Sequence, residues 1–308
     1  MKRNLLIVAI ALLAVAFVSC QKDGVYKPKK RIAKVYNEWT RTTVSTDADG
    51  SRTETVTQNP YVAQEWTWGD KTLESIMSKD KDGNVVNNVK FAYDDKNRIV
   101  SVAETGDDKI EYAYNDDKKL QSIKAYEGTD LVLSMEYAYE DKLPKTITTT
   151  WYFEYKKMSP LAKMVIPTFV SEAMQRTEIQ SKAVVTYVMT STIEWDGKNI
   201  SQVVTNVENE SPSTITYEYD GKANPYYGMY GMMEYDFDIA CYSKNNVVKS
   251  TNSYTEEGKT VTEVEEYVYE YDGKYPTKVT VTDVRENTVL GVNHKVTRVN
   301  TTTYEYTK

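Results

Sequence analysis

The stretch Tyr112-Ala113-Tyr114-Asn115-Asp116-Asp117-Lys118-Lys119-Leu120 has a pattern that predicts a β-hairpin. Residues two apart in a β-strand point to the same face, so Tyr112 and Tyr114 lie side by side. Asn and Asp tolerate the left-handed backbone of tight turns, and the apolar Leu120 opens the next segment. We therefore expect two strands, with an aromatic pair placed just before the turn that joins them.

The same unit recurs along the whole chain. Further copies end in Trp68, Tyr93, Tyr139, Trp195, Tyr219, Tyr271 and Tyr306. Regular spacing of this kind indicates a repeat architecture, and a flat sheet built from so many hairpins would leave long unpaired edges. If each unit is a hairpin, the chain has roughly 14–20 strands. We predict an all-β fold, an antiparallel hairpin-repeat meander that curls into a large barrel or barrel-like shell with short helical inserts.

The amino terminus predicts a lipid anchor. Met1-Lys2-Arg3 precedes an apolar run that is too short for a membrane span and ends at Ser19-Cys20. This pattern predicts a lipoprotein signal peptide over residues 1–19 and lipidation of Cys20; the alternative is an ordinary secretory signal with an incidental cysteine. Acyl chains on Cys20 would anchor the protein stably to a membrane. We expect residues 20–30 to be an extended, unpacked tether and residues 31–308 to be one domain.

The composition also supports an all-β fold. The chain has 26 Tyr but only 5 Phe, and Thr, Tyr and Val favour strands. A net charge of −7 argues against a nucleic-acid partner. If Cys20 is lipidated, Cys241 has no cysteine to pair with, so no disulfide framework is expected.

The repeat breaks at two places. Ser159-Pro160 is typical of a helix start, and apolar residues at helical spacing follow, so short helices are expected over residues 160–175. Residues 224–240 form the second break, with further helix expected over residues 228–240. It concentrates aromatic and methionine side chains at Tyr226, Tyr227, Met229, Tyr230, Met232, Met233, Tyr235 and Phe237. These residues either plug the barrel or line an apolar ligand pocket, and the sequence leaves both interpretations open.

Signs of catalysis are weak. His294 is the only histidine and is expected to be an exposed strand residue, so neither a histidine-based triad nor a His-rich zinc site is predicted. No nucleophile elbow, phosphate loop or dinucleotide fingerprint is present. A glycosidase requires two carboxylates that face each other across a cleft. Paired acids such as Asp116-Asp117 fall instead at predicted hairpin turns. We predict no catalytic residues, no metal site and no cofactor.

The chain resembles two families, one in its repeat unit and the other over nearly the whole mature chain. Tyr93-Asp94-Asp95-Lys96-Asn97-Arg98-Ile99 resembles the Tyr-Asp-x-x-Gly-Arg-Leu unit of the tyrosine-aspartate repeats in Rhs-type shell proteins. The lipidated start, the Tyr-x-Tyr-Asp-x-Lys units, Asn224-Pro225-Tyr226-Tyr227-Gly228 and the segment 243–249 resemble uncharacterised Bacteroidetes lipoproteins described as having a porin-like fold. The second resemblance implies a fold and an outer-membrane location, on the cell surface or the periplasmic face. It implies no assigned activity.

The predicted function is therefore broad. We expect a lipid-anchored, non-enzymatic binding or interaction module of the cell envelope, with the membrane as one partner and a glycan, lipid or protein as ligand. The alternatives are a purely structural β-shell and an envelope hydrolase that uses acidic side chains. An exposed aromatic face would favour the binding module over the structural shell, because tyrosine and tryptophan suit glycans and protein partners. A buried carboxylate pair would favour the hydrolase.

Overall fold

Sixteen strands close into one antiparallel barrel in the computed structural model of this chain. The structure describes residues 25–104, 106–152, 158–163, 166, 186–207, 211–229, 242–256, 259–289 and 292–307. The strands are β1 Ile32–Asp47, β2 Gly50–Trp68, β3 Leu73–Lys79, β4 Val85–Tyr93, β5 Ile99–Ala103, β6 Lys109–Tyr114, β7 Leu120–Glu127, β8 Asp130–Glu140, β9 Leu143–Trp151, β10 Tyr187–Asp196, β11 Asn199–Val207, β12 Ser213–Ala223, β13 Asn245–Glu256, β14 Lys259–Asp272, β15 Tyr275–Val289 and β16 Val292–Tyr306. One short helix, α1, spans Pro160–Lys163.

The predicted meander is confirmed. Each strand pairs with its neighbours in the sequence, and β16 pairs with β1 to close the ring. Val35 lies opposite Tyr304 at this seam, and the Thr307 amide donates a hydrogen bond of 2.8 Å to the Arg31 carbonyl. Closure leaves no unpaired edge strand, which removes the aggregation hazard of an open sheet of this size.

The inner face of the barrel is the buried one. Ile110 and Tyr112 on β6 are buried in the core, while Lys109 and Ala113, which point the other way, are exposed. Threonines and ion pairs occupy the outer face: the pairs are Glu65–Lys79 (2.8 Å), Glu218–Lys249 (3.3 Å) and Glu270–Lys278 (3.3 Å). On β6 the large apolar residues therefore point into the barrel and the polar residues point outward.

A β-bulge accompanies the aromatic pair in most units. The pairing register shifts immediately before Trp68, Tyr93, Tyr114, Tyr139, Trp195 and Tyr271. On β5, for example, Ser101 pairs with Ala92 but Ile99 pairs with Tyr93, so Val100 is the extra residue. Because of this extra residue, apolar side chains three positions apart, such as Ile99 and Val102, face the same way. Bulges bend a strand and increase its twist, so one bulge per unit supplies the curvature that closes the barrel.

The second aromatic of the unit also joins neighbouring hairpins, through a hydrogen bond that we call the aromatic clasp. Its side chain donates to a backbone carbonyl at the start of the preceding strand. The described clasps are Trp68 to Ile32 (2.7 Å), Tyr93 to Leu73 (2.6 Å), Tyr114 to Ile99 (2.7 Å), Trp195 to Pro144 (2.7 Å), Tyr219 to Ile200 (2.7 Å) and Tyr306 to Pro276 (2.7 Å). Each clasp satisfies a polar group at the rim and fixes one hairpin against the next.

The turns use the left-handed backbone that the sequence predicts. Asn97, Lys118, Asp141, Gly197 and Gly273 have φ angles of 59°, 66°, 54°, 61° and 63°. In the first of these turns, Asp94 Oδ1 accepts the Lys96 and Arg98 amides, both at 2.9 Å, and Asp94 Oδ2 accepts Arg98 Nε at 2.7 Å. Burial alone would raise the pKa of Asp94, but the Arg98 amide and guanidinium and the Lys96 amide together hold that pKa below its usual range.

The helix start at Ser159-Pro160 is confirmed. Ser159 Oγ accepts the Ala162 amide at 3.2 Å, which caps α1. Leu161 and Ala162 are buried in the barrel core, and α1 packs against β6 and β7. The rest of the helical material predicted over residues 160–175, apart from residue 166, lies outside the described residues. So does the helix predicted over residues 228–240 beyond residue 229.

Strand lengths divide the barrel into two sides. Strands β3 to β12 have 5 to 11 residues, whereas β13, β14, β15, β16, β1 and β2 have 12 to 19. These six long strands are adjacent in the ring, and we call them the long-strand wall. The long-strand wall is therefore one continuous surface on one side of the barrel.

Loss of one clasp should destabilise the barrel measurably. Tyr114→Phe removes the donor to the Ile99 carbonyl and keeps the ring, so we expect a loss of about 1–3 kcal/mol in the free energy of unfolding. Tyr152→Phe is the matched control, because the Tyr152 side chain is 37% exposed. Chemical denaturation followed by tryptophan fluorescence measures both. Equal stability of the two variants would show that the clasp contributes nothing.

Two turn substitutions should act with opposite signs. Gly197 has φ +61° and no atom within 4 Å of an added Cβ, so Gly197→Ala costs only backbone strain, about 1 kcal/mol. Lys118→Gly relieves the same strain and should stabilise by less than about 1 kcal/mol, since glycine loses more chain entropy on folding. Thermal unfolding of both variants tests this. A stabilised Gly197→Ala protein would contradict the turn assignment.

Candidate functional site

The described part of the second break, residues 224–229, lies inside one end of the barrel. This end, which we call the filled end, carries the turns that precede β3, β5, β7, β9, β11 and β15, and the segment 224–229. Asn224 shapes that segment, because its Oδ1 accepts the Tyr226 amide at 2.9 Å and its Nδ2 donates to the Ser243 carbonyl at 2.8 Å. Gly228 then takes a φ of 88°. The chain is thereby folded back toward the barrel axis.

Three of the eight candidate residues of this break are described. Met229 is fully buried, and Tyr226 and Tyr227 are half-buried. The ring centroid of Tyr226 lies 6.2 Å from that of Trp66 and 6.1 Å from that of Tyr304. The other five, which are Tyr230, Met232, Met233, Tyr235 and Phe237, lie outside the described residues, as do Cys20 and Cys241.

Tyr26 completes this aromatic cluster from the amino-terminal side. It is buried, its ring lies 5.7 Å from that of Trp68, and its hydroxyl donates to the Pro225 carbonyl at 2.8 Å. The expectation that the tether is unpacked is therefore wrong for Tyr26, because the closed barrel places an aromatic surface beside it that no local sequence pattern predicts. Lys30 also contacts the barrel, because its ammonium group forms an ion pair with Asp272 at 2.7 Å.

The filled end is neutral at its centre. Burial, then the neighbouring Tyr226, raises the pKa of Tyr304 far above its usual range. Burial also raises the pKa of Tyr269 strongly. Their hydroxyls stay protonated at physiological pH, so they donate hydrogen bonds and do not act as bases. The described part of this end is suited to packing rather than to proton transfer.

The first residues of the segment 243–249 have a role that the repeat pattern does not predict. Ser243 Oγ accepts the Ile200 amide at 3.1 Å and lies 2.9 Å from the Tyr219 hydroxyl. Asn246 Nδ2 donates to the Tyr271 hydroxyl at 3.3 Å, and Tyr271 donates to Asp220. Where the repeat breaks, side chains thus replace the backbone acceptor of the usual clasp. The sequence signal for this role is a run of polar residues at a position where the other repeats carry an aromatic pair.

Other groups with catalytic potential are dispersed. His294 is half-buried rather than exposed, and its Nδ1 lies 3.0 Å from Ser45 Oγ, directly opposite it across β1 and β16. Partial burial, then the nearby Asp108 carboxylate, raises the pKa of Glu104, but both acids belong to one hairpin connection. Within the described ranges, no Asp or Glu is among the buried side chains, and no three potential ligands meet as a metal site.

The opposite end of the barrel differs. Inward-pointing residues of the long-strand wall, such as Arg41 and Arg298, are exposed there, whereas inward-pointing residues near the filled end, such as Ile32 and Leu73, are inaccessible to solvent. An inward side chain can be exposed only where water enters the barrel. We call this the open end.

Comparisons with known proteins give limited matches. The sequence matches no protein-family profile and no curated protein. Among solved structures, a porin-like protein from Bacteroides uniformis is 13% identical, covers 92% of this chain and 100% of its own, and has a TM-score of 0.47. A porin-like protein from Bacteroides vulgatus is 10% identical, with coverages of 91% and 99% and a TM-score of 0.42. Among the helical residues that are described, none forms a span long and apolar enough to cross a membrane.

Truncation of the Met229 side chain should show whether the segment 224–229 plugs the barrel or only packs on its surface. Met229→Ala leaves a cavity beside the Tyr226 cluster, so we expect a loss of about 2–5 kcal/mol in unfolding free energy. Met77→Ala is the control, because Met77 points to the outer face of β3 and is only half-buried. Denaturant unfolding measures both. A Met229→Ala protein as stable as Met77→Ala would contradict a plug.

Proposed function

We propose that the protein is a lipid-anchored, non-enzymatic binding module of the cell envelope. The observation that carries the proposal is the contrast between the two ends of the barrel. One end is packed with apolar and aromatic side chains and receives the amino-terminal segment at Tyr26. The other end presents inward-pointing side chains to water. A module of this kind has one end for attachment and one end for a ligand.

The outer face supports a barrel that stands in water. A strand surface in contact with lipid needs an apolar band, and a Lys or Arg at its centre costs about 2–4 kcal/mol. The outer faces of the described strands instead carry ion pairs such as Glu218–Lys249 and cross-strand threonine contacts such as Thr42–Thr55 at 3.3 Å. We therefore assign membrane attachment to acyl chains on Cys20, with the outer membrane as the site.

The position of Tyr26 gives the barrel an orientation. Only five residues separate Tyr26 from Cys20, and a fully extended chain spans at most about 3.3–3.6 Å per residue. The filled end is thus held close to the lipid, and the open end faces away. The alternative of a purely structural shell does not account for the unfilled open end, and nothing described favours the hydrolase.

Replacement of Cys20 should release the protein from the membrane. Cys20→Ser removes the proposed acylation site, so palmitate labelling should disappear and the protein should move to the soluble fraction. Cys241→Ser is the matched control and should keep both properties. Labelling that persists in Cys20→Ser would contradict the anchor, and protease treatment of intact cells tells the surface from the periplasmic face.

A further inference from the structure

One tryptophan of the barrel differs from the others. Trp66, Trp68 and Trp195 donate their indole N–H to the Gln64 side chain or to backbone carbonyls, and Trp151 is fully buried. Trp39 on β1 is half-buried, and among the described residues it has neither a hydrogen-bond partner nor a ring contact. Its ring therefore contributes little to the core at a place where water enters the barrel.

Register places Trp39 on the inner face of the long-strand wall. Val35 and Tyr304 are buried core residues that pair across the β1–β16 seam, and the pairing continues from them without a shift. Four residues further along β1, and so on the same face, Trp39 lies opposite Asn300, and on its other side it lies opposite Gln58 of β2. Amide side chains therefore flank the indole on both sides.

The next inward pair consists of two arginines. Arg41 lies directly opposite Arg298, both side chains are exposed, and neither has a hydrogen-bond or ion-pair partner within the described part of the chain. Residues opposite each other on antiparallel strands have Cα atoms about 4.5–5.5 Å apart, and like charges in that arrangement are destabilising. Asp283 lies opposite Arg298 on β15. Two free guanidinium groups side by side form a receptor for an anion.

We infer that Trp39, Asn300, Gln58, Arg41 and Arg298 form a binding site for an anionic oligosaccharide. The indole supplies a flat apolar face for a sugar ring, and the amides supply hydrogen bonds for its hydroxyl groups. The guanidinium groups bind the carboxylate or sulfate of the sugar, since their planar forks match such anions. This inference rests on the proposed binding function and names its ligand class.

Calorimetric titration of the full-length protein in detergent tests the site. The probes are an oligogalacturonate, which carries carboxylates, a heparin-derived oligosaccharide, which carries sulfates, and a neutral malto-oligosaccharide of the same length. We expect one or both anionic probes to bind. The neutral probe should bind at least about tenfold more weakly, since the loss of one strong contact corresponds to about a tenfold loss of affinity. The two anionic probes distinguish the chemical group that the arginines bind.

Four variants locate the binding. Arg41→Gln with Arg298→Gln, and separately Trp39→Ala, should each weaken anionic binding by about tenfold or more. Lys249→Gln with Lys278→Gln removes the same charge from the outer face and should leave the affinity unchanged. Trp39→Phe, which keeps an aromatic face, should retain most of the affinity and covers the case in which Trp39→Ala fails to fold.

The outcomes separate this inference from the proposed function. Absence of binding to both anionic probes, or an equal loss in the outer-face control, overturns the site and leaves the Cys20 anchor standing. Retained labelling in Cys20→Ser overturns the anchor without affecting a titration in detergent. Equal binding of the neutral probe would show that the arginines do not select the ligand.

Discussion

The aromatic clasp is the contact on which the barrel depends. A hairpin alone is marginally stable, and a large meander needs each hairpin to be fixed against the next. On six of the even-numbered strands, the indole or phenol at the strand end supplies that connection at the rim, through a hydrogen bond to a backbone carbonyl of the neighbouring strand. Phenylalanine could fill the same volume but could not donate, which gives a physical reason for 26 Tyr against 5 Phe.

Clasp and bulge occur at the same residue, and this coincidence explains closure. The bulge turns the strand, and the clasp holds the turned strand against the preceding one. Repetition around the ring at Trp68, Tyr93, Tyr114 and Trp195 spreads the curvature over many small steps. The final step is the seam between β16 and β1, where Tyr304 packs opposite Val35. Strain is therefore not concentrated at any single junction.

In the proposed function, the two ends of the barrel divide attachment from recognition. At the filled end, Met229 and Tyr304 are buried and Tyr226 and Tyr227 are half-buried, so the segment 224–229 acts there as packing material. At the open end, the long-strand wall continues beyond the short strands and keeps its inner face in water. Inward-pointing side chains would be core residues near the filled end, but at the open end they form a surface. The same alternation of inward and outward residues thus produces a core at one height and a candidate site at another.

The sequence alone determined the hairpin unit, its turns, the placement of each aromatic pair on one strand face and the helix start at Ser159, because these depend on residues only a few positions apart. The spacing of three between Ile99 and Val102 also recorded the bulge, although strict strand alternation gives no reason to look for one. Only the tertiary structure decided the burial of Tyr26, the acceptors of the clasps and the placement of Arg41 beside Arg298. These contacts join residues up to 257 positions apart. They exist because the ring closes, and closure is a property of all sixteen strands that no local pattern specifies.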